Sequence, residues 1–251
     1  MLSEVTKGTL VGETSSLHSE CSGRGFERYG LLTSRMVGRF AILGRSPMHF
    51  WRKDYFQTLK DVATEARTVP AWADYAAFCE EYERGLRDKA FNILERFTSS
   101  MERAPFAERR RFVSWLSQRA DHREGRHMLI PHHFYIRIVE PTLLEWTAVE
   151  PDCPEPHVWL GGYDHVKRAF ELEPNNQMAR RKLLLLVWGR VDFEAYEHGC
   201  SKNFDKDMAT LSEVEELLRG LSNEEDRKKL AADLAEDRRF VEQHSRKRSG
   251  Q

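Results

Sequence analysis

One helix-breaking junction occurs twice in this chain. Residues 149–152 (VEPD) are followed 23 positions later by residues 172–175 (LEPN). Each junction lies between two stretches of helical apolar pattern, and proline cannot continue the hydrogen-bond ladder of a helix interior. The sequence therefore predicts helices that end, turn and restart, which is typical of helical hairpins stacked side by side. We predict an all-α fold, an irregular array of antiparallel helical hairpins.

The first 45 residues differ from the rest of the chain. They contain seven of its fifteen glycines, and each glycine disfavours a helix by about 1 kcal/mol. Residues 1–53 also carry eight Lys and Arg against four acids. This composition predicts a flexible basic arm over 1–45, a helical domain over 46–245 and a frayed tail over 246–251.

Helix-start signals and apolar spacing divide the domain further. Pro70 is expected to open a long helix, because apolar residues follow at spacings of three and four. Its predicted inward stripe is Tyr75, Cys79, Tyr82, Leu86, Ala90, Ile93, Leu94 and Phe97. Later helices are predicted from Pro105, over 156–172 and over 176–189, and capping boxes are predicted at 210–213 (TLSE) and 222–225 (SNEE).

Residues 132–149 are ambiguous. The run Phe134 to Val139 (FYIRIV) is rich in strand-forming types, and Pro141 would interrupt a helix. We favour two short helices, or one helix kinked at Pro141, because Leu143, Leu144 and Trp146 resume a helical face. A lone edge strand over 134–139 is the alternative.

Residues 145–198 resemble the tetratricopeptide-repeat family. The residues that carry the resemblance are Trp159-Leu160-Gly161, Tyr163 and the segment 169–176 (AFELEPNN). The resemblance implies a Trp-containing first helix and a second helix closed at Pro174. Two departures stand out: the junctions are closer together than the 34-residue repeat, so a full hairpin is not expected between them, and only one and a half units are present.

A helical array of this kind implies a binding surface. We predict a non-catalytic protein–protein interaction module that holds a peptide or helix of a partner in a groove between helices. The predicted partner-binding residues are Trp159, Tyr163, Lys167, Arg180 and Arg181. The other large aromatics, Trp72, Trp115, Trp146 and Trp188, are expected to be mostly core anchors.

Charge is distributed unevenly along the chain. Residues 101–137 carry eight arginines against four acids, and residues 138–176 carry eight acids against two bases. Arginine-rich faces can bind phosphates, but the acidic segment would repel nucleic acid, and a solvated helix surface is the favoured interpretation. The opposed patches also suit self-association or docking on a charged partner protein.

The alternative function is a metal-assisted hydrolase that uses the His/Arg-rich loop 122–137. His127, His132, His133 and His157 are weak candidate metal ligands, because no pair has the spacing of HExxH or CxxC. The sequence contains no GxSxG, P-loop or GxGxxG motif. We therefore expect no catalytic residues, no bound metal and no cofactor.

Cellular location is predicted from cysteine usage and hydropathy. The four cysteines are far apart and include no CxxC pair, which favours a reduced intracellular protein. The most apolar run, Leu183 to Trp188, is much shorter than the ~20 residues that span a bilayer. We expect a cytoplasmic protein that does not bind membranes.

Overall fold

The structure, a computed structural model, describes residues 53–121, 126–191, 193, 196 and 203–249, with side chains from 55 to 120, from 127 to 191, at 193 and 196, and from 203 to 244. All regular secondary structure in this part of the chain is helical. The helices are α1 (Lys53–Arg67), α2 (Ala73–Glu83), α3 (Arg87–Glu102), α4 (Phe106–Asp121), α5 (Arg126–Leu129), α6 (His132–Phe134), α7 (Glu140–Val149), α8 (Pro154–Leu160), α9 (Tyr163–Leu172), α10 (Gln177–Trp188), α11 (Phe204–Arg219) and α12 (Glu224–Ser249). A 3₁₀ turn over Pro70–Trp72 precedes α2, and a π-helical segment over Tyr135–Val139 joins α6 to α7.

Helices that follow one another along the chain pack against one another. This holds for α1 to α3 and again for α7 to α12. The predicted all-α array is therefore confirmed. The predicted arm over 1–45 lies outside the described residues, whereas α12 extends to Ser249, beyond the domain boundary predicted at 245.

The predicted long helix after Pro70 is wrong. Gly85 has φ 78° and separates α2 from α3, which pack on each other as a hairpin. Positive φ is strained for residues with a side chain but not for glycine, so the chain reverses here. Leu86, predicted to face inward, lies in the turn and is 43% exposed.

The region 132–149 is helical, and the edge-strand alternative is wrong. The π-helical segment ends two residues before Pro141, where a regular helix would bring the proline ring against the carbonyl four residues earlier. The wider π turn relieves that contact at the cost of one extra residue. The Thr142 hydroxyl donates to the Ile138 carbonyl at 2.6 Å, which satisfies an acceptor of the irregular turn.

The two proline junctions adopt the same conformation. Glu150 has φ −129° and ψ 74°, and Glu173 has φ −138° and ψ 83°. Each donates its N–H to the carbonyl four residues back, and each carbonyl accepts from the residue three positions on, Cys153 or Asn176. The next helix begins four residues after each glutamate, so the sequence repeat is also a structural repeat.

Two helices fit between the junctions, and the prediction that a hairpin does not fit is wrong. Gly161 and Gly162 have φ 69° and 74°, a region that glycine occupies without strain. They divide the predicted helix 156–172 into α8 and α9. Trp159 thus lies on the first helix and Ala169 on the second, as the resemblance implies.

The first predicted capping box, at 210–213, is wrong, and the second, at 222–225, begins one residue later than predicted. Thr210 does not begin a helix; it lies inside α11, where its hydroxyl donates to the Lys206 carbonyl at 2.9 Å. In the second box the cap is Asn223 rather than Ser222, because the Asn223 side chain accepts from the Asp226 N–H at 3.1 Å.

Buried apolar residues form two clusters. The first is built mainly from α1 to α8 and contains Tyr75, Phe112 and Trp146; the second is built from α10 to α12 and contains Trp188. Helix α9 contributes to both, through Ala169 in the first and Val166 in the second. The helices α9 and α10 therefore join the two halves of the core. In the described part of the chain, no helix combines the length and apolarity required to cross a bilayer.

Candidate functional site

The predicted partner-binding residues lie on α8, α9 and α10, which pack on one another. Trp159 belongs to the core, with 5% of its surface exposed. Its indole N–H faces the Glu155 carboxylate at 3.4 Å, and the Lys182 ammonium lies 4.5 Å from its ring. Trp159 therefore joins α8 to α10 and offers almost no surface to a partner.

Tyr163 opens α9 and is half-buried. The Arg190 guanidinium, just beyond the end of α10, lies 3.8 Å from the centre of its ring. Because the start of α9 meets the end of α10, these helices run antiparallel. One face of the Tyr163 ring is thus occupied by a cation, a contact of about 0.5–1 kcal/mol at an exposed position.

Arg180 is held by contacts within the protein. Its guanidinium lies 4.9 Å from the Phe170 ring and donates to the Pro174 carbonyl at 2.8 Å. A Cβ at Gly220 would overlap this guanidinium, so the side chain occupies the space that the glycine leaves. Its Nε is buried without a hydrogen-bond partner. Arg180 joins the α9–α10 turn to the α11–α12 turn.

A side-chain amide joins the same two turns. Gln177 donates to the Gly220 carbonyl at 3.3 Å and accepts from the Ser222 N–H at 2.8 Å. The amide of this one side chain therefore bonds to a backbone carbonyl and to a backbone N–H, as a neighbouring backbone segment would. The α9–α10 hairpin is therefore fixed against the following helices at its turn end.

Lys167 and Arg181 are the accessible members of the predicted set. Their side chains are 52% and 51% exposed. Lys167 faces Glu171 one turn later on α9 at 3.8 Å, and Arg181 faces Asp226 of α12 at 3.4 Å. Exposed pairs of this kind contribute little to stability, so both cations remain open to exchange for a partner's carboxylates.

The candidate metal ligands are held by different neighbours. The ring of His127 meets Tyr55 edge-on at 5.8 Å, and that of His133 meets Phe91 at 5.5 Å. His132 is exposed. No group of three or more metal-ligating side chains occurs among the residues that the structure describes, and residues 122–125 of the loop lie outside them.

His157 is instead paired with another histidine. Its Nδ1 lies 3.1 Å from Nδ1 of His165, at the corner between α8 and α9. Burial, and then the neighbouring His165 and Arg168, lower the pKa of His157, although a hydrogen bond to the Pro151 backbone opposes this shift. The neutral form of His157 is therefore favoured in the folded protein.

Four arginines of the segment 101–137 form ion pairs within the described part of the protein. Arg109 binds Glu145 at 2.8 Å, and Arg110 binds Glu150 while lying 4.2 Å from the Trp146 ring. The further pairs are Arg119 with Glu65, and Arg137 with Glu95 and Glu102. Two of these arginines are thus neutralised by acids of the segment 138–176, and the other two by acids of α1 and α3.

Three residues at this site were missed by the sequence analysis: Phe170, Lys182 and Arg190. Each takes part in a cation–aromatic contact between α10 and the helices α8 and α9. The sequence feature that could have identified the two cations is their position on either side of the apolar run of α10. Their partners could not be assigned until the Gly161–Gly162 turn had placed α8 and α9 beside α10.

Comparison with protein-family models, curated proteins and solved structures finds no match for this chain. The likeness to tetratricopeptide repeats therefore rests on the residues of 145–198 and on the packing of consecutive helices.

Proposed function

We propose that this protein is a non-catalytic protein-binding module and that residues 145–198 are a degenerate tetratricopeptide-repeat-like unit. The partner segment is a peptide or helix that lies along the outer face of α9 and α10. The observation that carries the proposal is the set of cation–aromatic contacts by which Arg180, Lys182 and Arg190 hold the rings of α8 and α9. A face fixed in this way loses little conformational freedom when it binds.

The charge of this face indicates the chemistry of the partner. Residues 163–190 contain six Lys and Arg against three acids, and Lys167 and Arg181 are the exposed members of the predicted set. Complementary charge steers encounter and fixes the orientation of a complex. The partner segment is therefore acidic, with Lys167 and Arg181 contacting its carboxylates and Tyr163 lying beside them.

Trp159 and Arg180 act beneath this face rather than on it. Trp159 positions α8 against α10, and Arg180 positions the turn between α9 and α10. Loss of partner binding on Trp159→Ala would thus be accompanied by loss of stability and would not identify a contact. Substitution of the exposed Lys167 and Arg181 tests direct contact with the partner without disturbing the core.

The experiment is quantitative co-purification from the native host, comparing the wild-type protein with Lys167→Glu/Arg181→Glu. The matched control is Lys228→Glu, because Lys228 is also an exposed lysine paired with a glutamate one turn away on its helix. We expect a partner that is recovered with the wild-type protein and the control but reduced at least about tenfold with the double variant. Equal recovery with all three proteins would contradict the proposed site.

A further inference from the structure

The π-helical segment and α7 carry exposed apolar side chains that the core does not use. Ile136 is 46% exposed, Leu144 is 48% exposed and Val149 is also exposed. Among the described residues, the remaining large apolar side chain with comparable exposure is Leu86, in the α2–α3 turn. Contiguous exposed apolar residues mark interaction surfaces, whereas singly scattered ones are ordinary.

Helix geometry indicates that the π turn brings Ile136 and Leu144 onto one face. Eight residues of regular α-helix would leave them about 80° apart around the axis. The π turn adds one residue without advancing the helix by a further 100°, and this brings the two side chains to within about 20° of each other. Glu140 lies between them, four residues from each.

Glu140 differs from the two acids that follow it, Glu145 on α7 and Glu150 just after α7. Glu145 and Glu150 bind Arg109 and Arg110 of α4. Glu140 is half-buried, and in the described part of the chain no hydrogen bond or ion pair engages its carboxylate. The face consisting of Ile136, Glu140 and Leu144, here called the α7 face, is therefore apolar at both ends and anionic in the middle.

We propose that the α7 face is a second docking surface, independent of the α9–α10 face, for an amphipathic helix of a partner protein. The partner helix presents two large apolar side chains about two turns apart, with a lysine or arginine between them. The apolar residues cover Ile136 and Leu144, and the cation neutralises Glu140. Recognition of this kind follows the helix-in-groove mode, with anchors at turn spacing.

Charge disfavours a second copy of this chain as the occupant. In a two-fold contact centred on the α7 face, the residue at the centre of the face would meet the same residue of the other copy, and each end of the face would meet the opposite end. Glu140 lies at the centre, so two carboxylates would meet, and like charges across an interface are strongly unfavourable. A basic partner meets no such repulsion.

Two synthetic helical peptides of about 20 residues test this proposal. Both carry two leucines seven residues apart on a polar alanine-rich background; one has lysine and the other glutamate midway between them. Binding to the full chain is measured by fluorescence anisotropy, and NMR spectra of the labelled protein locate the site. We expect the lysine peptide to bind at least about tenfold more tightly than the glutamate peptide, with shifts confined to 132–149.

Variants make the test specific. Glu140→Lys should reverse the preference between the two peptides, and Leu144→Ser should weaken binding of the lysine peptide about tenfold. Leu86→Ser is the matched control, because it removes a similarly exposed leucine elsewhere, and it should leave binding unchanged. Circular dichroism checks that each variant is folded. If Glu140→Lys does not fold, Glu140→Gln is used in its place.

Several results would overturn the proposal. Equal affinity for both peptides, binding that survives Leu144→Ser, or no binding of either peptide would each do so. A wild-type dimer that Leu144→Ser dissociates in sedimentation would assign the face to a second copy. A zero-length cross-link from Glu140 to residues 1–52 of the same chain would assign it to the chain's own N-terminal part.

Discussion

Replacing Gly220 by alanine should destabilise the protein by about 1–2 kcal/mol, and the effect should depend on Arg180. Gly220 has φ −86° and ψ 0°, which alanine adopts without strain. On backbone grounds alone, the substitution would stabilise the protein by about 0.4–1 kcal/mol. The cost arises because the new Cβ displaces the Arg180 guanidinium.

The contacts that Arg180 loses set the magnitude. A hydrogen bond from a charged group contributes about 1.5–3 kcal/mol, and the contact with the Phe170 ring about 0.5–1 kcal/mol. The gain at the Gly220 backbone offsets part of this loss. Hydration of the Arg180 Nε, which is buried without a partner in the wild-type protein, offsets a further part. The difference is about 1–2 kcal/mol.

The assay is urea unfolding followed by circular dichroism, applied to a double-mutant cycle. Gly220→Ala should be neutral or slightly stabilising in an Arg180→Ala background. Gly189→Ala is the matched control, because Gly189 also follows a helix with negative φ and a Cβ there meets only carbonyl oxygens at 3.4 Å and beyond. The reasoning is refuted if Gly220→Ala and Gly189→Ala have equal effects, or if the cost of Gly220→Ala persists without Arg180.

Three further predictions concern burial. Trp159→Ala should lower stability by about 3–5 kcal/mol in thermal unfolding, whereas Lys167→Ala should change it by no more than about 0.5 kcal/mol; equal effects would contradict the placement of Trp159 in the core. Because the pKa of His157 is lowered in the folded state, the unfolded chain takes up a proton first as pH falls through about 6.5. Stability should therefore be lost on acidification below that range, and less steeply in His157→Gln; an identical pH dependence of both proteins would argue against this. Burial raises the pKa of the Cys79 thiol, whereas Cys153 is only partly buried. Iodoacetamide should therefore label Cys153 well before Cys79 in peptide mapping of the folded protein. Equal labelling rates would contradict the burial of Cys79.

The helical fold could be predicted from proline positions and apolar spacing because both act locally. Pro151 and Pro174 end helices in the predicted places, since the restriction lies in the proline ring itself. The errors lie where glycine reverses the chain. The apolar spacing continues in phase through Gly85 and through Gly161–Gly162, so periodicity alone joined helices that the structure separates.

The candidate site could be predicted only in part, because it depends on which helices become neighbours. Sequence placed Trp159 and Arg180 on an outer groove, yet packing buries the first and holds the guanidinium of the second against the turn between α9 and α10. The exposure of Ile136 and Leu144 on one face depends on a π turn that compensates for Pro141. Pro141 indicated an interruption of the helix, but the sequence did not specify that the interruption would take the form of a π turn.

Hydrogen–deuterium exchange on the complex with the co-purified partner tests the central proposal most directly. Amides of 163–190 should become more protected on binding, most strongly around Lys167 and Arg181, because the partner segment lies along α9 and α10. Unchanged exchange over 163–190, with new protection confined to other helices, would contradict the proposed binding face.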